Sequence, residues 1–153
     1  MKQLGEQQTL YNSLSAFESQ LHIPVIPGEL QSWAEAAADA LSTLAPLIRH
    51  QINEHHREQF RDIRSEDAGL AARIDRLEIE DKSVIAELDE LQHLCDRLCE
   101  RAGQIEPDEQ RVKHAVNDLI NKGISLVLRV RKQEMAIQTW FVEAFSRDRG
   151  KVD

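Results

Sequence analysis

Apolar residues in this chain recur at three- and four-residue intervals in four long segments, and three short breaks separate those segments. The breaks are His22-Ile-Pro-Val-Ile-Pro-Gly28, the polar stretch Arg64-Ser-Glu-Asp-Ala-Gly69, and Gly103-Gln-Ile-Glu-Pro107-Asp108. Proline and glycine stop helices, and a glycine followed by a proline marks one helix ending and another starting. The segments are roughly 2–21, 29–63, 70–102 and 108–146. The first carries Leu10, Leu14, Phe17 and Leu21, and the second Leu30, Trp33, Ala37, Leu44 and Leu47. The third carries Leu70, Ile74, Leu77, Val84, Leu88, Leu91, Cys95 and Leu98. The fourth carries Val112, Val116, Leu119, Leu126, Val130, Ile137, Trp140 and Ala144. Such spacing lines one face of an α-helix, and strand-like alternation fits nowhere for more than a few residues. Short connections between long amphipathic helices force neighbours to run in opposite directions. The expected fold is therefore all-α, a single domain over residues 1–153 built as an antiparallel up-down four-helix bundle. Pro46 is expected to interrupt and kink the second helix, because its ring displaces a backbone hydrogen bond.

Composition narrows the function. Aromatic residues make up 5% of the chain, and there are 6 Gly and 4 Pro, too few turn formers for many short strands. The formal charge of −8 opposes binding to a nucleic-acid backbone or to an anionic membrane surface. No apolar run reaches the ~20 residues of a membrane span. The first residues lack the apolar core of a signal peptide, so a cytoplasmic location is expected. Cys95 and Cys99, one turn apart on a helix, cannot bridge without strain; Cys95 falls on the apolar seam and reads as a packing residue. Arg129-Val-Arg-Lys132 reads as a solvated basic face. There is no Gly-rich phosphate loop and no nucleophile elbow.

The chemistry lies in the polar residues that interrupt the apolar stripes. Extending each seam by its own spacing puts Gln7 on the first helix, His50 and Glu54 on the second, Asp81 on the third and Gln133 on the fourth. A helix rises ~1.5 Å per residue. Counted from the connections, these five residues come to about one level, so one layer of the core is expected to be polar. Buried polar groups need partners, and groups at one level from different helices can satisfy one another. Such a layer serves either as a hydrogen-bonded network that fixes register or as a metal or ligand site.

The layer resembles the metal layer of the hemerythrin-like (HHE cation-binding) family. His50-Gln-Ile-Asn-Glu54-His-His-Arg-Glu-Gln-Phe60 is similar to that family's His-x-x-x-Glu helix with its trailing Phe. Leu77-Glu-Ile-Glu-Asp81 stands where a Leu-x-x-Glu-His run would, and Glu6-Gln7-Gln-Thr-Leu10 resembles a Glu-His-x-x-Leu start. Gln133-Glu-Met-Ala-Ile137 stands where a second His-x-x-x-Glu is expected, and the ending Glu143-Ala-Phe-Ser-Arg-Asp-Arg-Gly150 is similar to that of some bacterial members. The resemblance implies a bundle that holds two irons on about five imidazoles and carboxylates. Here Gln7, Asp81 and Gln133 stand where histidines belong, and Ile137 where a carboxylate does. His50, Glu54 and Asp81 remain as ligand candidates.

The reading is a hemerythrin-like, non-enzymatic binding or regulatory module that has lost its di-iron site. It would act through its surface on a protein partner or on a second copy, with no cofactor. The alternative is a residual metal-binding or oxygen- or redox-sensing protein that holds iron or zinc with His50, Glu54 and Asp81. His55 and His56 are expected to point off the Glu54 seam as a solvated pair. A true di-iron oxygen protein with a different ligand set is the third reading.

Overall fold

The computed structural model describes residues 2–104 and 109–150. The described residues are helical almost throughout, with no strand among them. Helix α1 is Lys2–His22 and α2 is Leu30–His50. A π-helical turn, Gln51–His56, then leads without a break into α3, Arg57–Glu66. After a 3-10 turn, Ala68–Leu70, come α4, Ala71–Ala102, and α5, Glu109–Gly150. The four segments expected from sequence are therefore all helical, and the second contains α2, the π turn and α3.

The breaks work as their residues dictate. Glu29 N–H donates to Ile26 O at 2.9 Å across Pro27-Gly28, and Gly28 has φ of 88°. A type II turn needs that left-handed angle at its third position, and glycine adopts it without a Cβ penalty. Trp33 Nε1–H donates to Ile23 O at 2.8 Å and ties this loop back onto α2. Asp67 accepts from Gly69 N–H at 3.0 Å, which ends α3 and starts the next turn. Gly103 caps α4, whereas Pro107 and Asp108 of the third break lie outside the described residues. Helix α2 continues through Pro46, which sits inside it.

Contacts between neighbours run in opposite chain order. Along α5, Lys122 meets Glu90, Arg129 meets Glu87 and Glu80, and Gln133 meets Asp81 and then the Leu77 carbonyl. Arg49, His56 and Arg64 pair with Asp89, Asp81 and Asp75 in turn. On α1, Gln20 reaches the Trp33 carbonyl while Glu6 reaches His55. Gly123 makes room for α1 against α5: a Cβ there would lie 2.5 Å from Leu21 Cδ1 and 3.3 Å from the Phe17 ring. The basic run does more than face solvent. Arg129 clasps Glu80 and Ser83 of α4, and Arg131 clasps Glu18 and Ser15 of α1.

The apolar interior has two parts. The larger is built on residues such as Phe17, Leu44, Leu88 and Leu126, with contributions from α1, α2, α4 and α5. The smaller holds Phe60, Ile63, Leu70, Ile74, Ile137 and Ala144, with Leu77, Trp140 and Phe141 packed on it. Cys95 belongs to the larger part, as its seam position implied, and burial beside Cys99 and Asp96 pushes its thiol up to about 12. Trp140 and Phe141 are half-buried against the smaller part, and the Arg73 guanidinium stacks over the Trp140 ring at 4.2 Å.

Candidate functional site

Between the two apolar parts lies a charged cluster centred on His56. Its imidazole is buried, with a side chain 3% exposed. Nδ1 faces Asp81 at 3.0 Å from Oδ1 and 2.9 Å from Oδ2, and Nε2 bonds to Oε1 of Glu134. Both carboxylates are buried as well. Each is also held by an amide: Gln51 Nε2–H donates to Glu134 Oε2 at 2.9 Å, and Gln133 Nε2–H donates to Asp81 Oδ1 at 2.9 Å and to Leu77 O at 2.8 Å.

Each ring nitrogen faces a carboxylate oxygen, an acceptor, so both nitrogens donate and the ring carries its proton. Burial pulls the His56 pKa down, but hydrogen bonds to Asp81 and Glu134 and their negative charge outweigh it and raise it to about 9. Tyr11 of α1 stands near the same level. Its hydroxyl accepts from Gln7 Nε2–H at 3.1 Å, and burial together with the Glu134 charge pushes its pKa up.

The backbone explains how His56 enters the core. An α-helix advances ~100° per residue, so positions five apart face ~140° away from each other. A turn closed by i→i+5 hydrogen bonds brings such positions nearly into line. The π turn therefore aligns Gln51 with His56, and the two grip the two oxygens of one carboxylate, Glu134. On the outer side it aligns His50 with His55, whose rings meet edge to face at 5.3 Å between centroids.

This geometry revises part of the expected layer. Asp81 and Gln133 are buried at the common level, as the seams implied, and Gln7 is half-buried beside Tyr11. His50 and Glu54 are exposed, so His50, Glu54 and Asp81 do not gather into one site. His56 and Gln51 take their place, because the inserted π residue shifts the phase of the second segment. His56 is thus a core residue rather than half of a solvated pair. Ile137 packs in the smaller apolar part, and the carboxylate of this stretch comes from Glu134. Glu134 was missed because a 4-3 step from Val130 to Ile137 fits the seam as well as the 3-4 step through Gln133. His56 had a signal: counting back four from Phe60 reaches it, whereas counting on from Leu47 reaches His50.

Among the described residues, one group of His, Cys, Asp and Glu side chains has the spacing of a metal site, and it lies outside the core: Glu6, His50 and His55. No family model, curated protein or solved structure matches this chain.

Proposed function

We propose that this chain is a non-enzymatic binding or regulatory module, an antiparallel four-helix bundle whose hemerythrin-like metal layer has been replaced by an ion-paired histidine. The opposite chain order of the contacts between the first and second, second and third, and third and fourth helical segments supports the bundle. The observation that carries the function is the His56 cluster. Its two ring nitrogens and two carboxylates are engaged with one another, and the void beside them, about 10 Å³, is at the lower limit for a single water. A pair of irons with an open position for dioxygen needs several imidazoles and free volume, and neither is available there.

An interior committed in this way leaves the surface to act, on a protein partner or a second copy. Leu128, Met135 and Val142 support that reading, since they are large, apolar and exposed at seven-residue intervals along α5. Seven residues are two helical turns, so the three share one face. No helix among the described residues is long and apolar enough to cross a membrane.

Metal analysis of protein purified from an iron-replete culture tests the proposal. The expected result is no iron pair and no oxo-bridge absorption band. Two irons per chain with that band would overturn it.

A further inference from the structure

We propose that Glu6, His50 and His55 form a mononuclear site for a divalent transition cation at the edge between α1 and the π turn. Glu6 Oε2 lies 2.5 Å from His55 Nε2 and 3.7 Å from His50 Nε2, and one ligand atom from each of the three residues lies within 4.8 Å of the others. A tetrahedral ion with bonds of ~2.0–2.2 Å holds its ligand atoms roughly 3.3 Å apart. The trio therefore closes on a cation through small side-chain rotations, with the Glu6–His55 contact opening and the others tightening.

The donor set selects the ion class. Two imidazoles and one carboxylate suit zinc and its first-row neighbours, while calcium and magnesium prefer oxygen ligands throughout. Three protein ligands leave a coordination position, and the exposure of His50 at 52% and Glu6 at 36% opens it to water. His55, at 15%, anchors the site from the protein side.

The backbone is the second argument. In a regular helix His50 and His55 would face widely different directions, and the π turn puts them on one side, opposite the first helix. π turns are rare and concentrate at functional positions. Here one turn arranges two things: Gln51 and His56 inward on Glu134, and His50 and His55 outward on Glu6. The site differs from the His50, Glu54 and Asp81 set in two of its three ligands.

Titration of the purified chain with Zn²⁺, and with Co²⁺ as a coloured probe, decides the matter. The expected result is one ion per chain with visible Co²⁺ bands of a low-coordinate site. His55→Ala and Glu6→Gln should each weaken Zn²⁺ binding by at least ~100-fold, more than loss of a supporting hydrogen bond would. Glu54→Gln, one residue away and exposed, should leave it unchanged. Circular dichroism of each variant checks that the helices persist. Absence of Co²⁺ bands and of Zn²⁺ binding in the unaltered chain would overturn the site, and so would binding that survives in both ligand variants. Either failure leaves the closed core standing, and an iron pair in the core would sink that reading without touching this one.

Discussion

A His56→Leu variant should lose about 3–5 kcal/mol of unfolding free energy, the cost of leaving buried charge without its partner. The substitution removes the one cation between Asp81 and Glu134, and both carboxylates stay in place with only an amide each from Gln133 and Gln51. Domains of this size are stable by roughly 5–15 kcal/mol, so the loss is a large share of the whole. Replacing His56, Asp81 and Glu134 together with leucines should recover part of it, because the desolvated charges go with their partner. Urea unfolding followed by helical dichroism measures both. A loss below about 1 kcal/mol for the single variant would mean that the cluster is hydrated in solution.

Stability should also fall as the pH rises from about 6.5 to about 9. The folded ring holds its proton up to about 9, whereas an unfolded histidine releases it near 6.5. Below 6.5 both states are protonated and the full contribution is present. Between the two values the unfolded state binds fewer protons, so each step up in pH favours unfolding. Integrated over the window the contribution is about 3 kcal/mol, and above 9 it is gone. Urea midpoints at half-unit intervals from pH 6 to 10 trace this decline. The His56→Leu variant should lose the decline between about 6.5 and 9 and keep only the fall that begins near 9 as the unfolded Cys95 thiol ionises, and an unaltered chain whose stability stays level from pH 6.5 to 8.5 would refute a protonated His56.

Helix content was legible because every segment obeys one period and the breaks carry their own turn chemistry. The level of the polar layer was legible too, since height follows from residue counts, and Asp81 and Gln133 fall where those counts put them. What could not be read forward was facing. A single inserted residue between Ile48 and Phe60 changes the direction of everything after it, and the seam counted from the N-terminal side continues as though nothing had happened. The count from Phe60 and Ile63 disagrees with it, and that disagreement is the mark of the π turn. The Glu6 site was hidden for a related reason, since its two histidines are five apart and no regular helical spacing pairs them.

The division of the interior has a consequence for how the molecule yields. Phe60, Ile74 and Ala144 belong to a patch that, among the described residues, takes nothing from α1, and the ionic tier separates it from the main body of leucines. Cooperative units follow contiguous apolar contact, so the far end can open while the remainder stays shut. Backbone amides around Ile63 and Ile74 should exchange with deuterium well before those around Leu44 and Leu88. The tier then works like a bulkhead: damage to the smaller compartment stops at His56 instead of spreading along the helices.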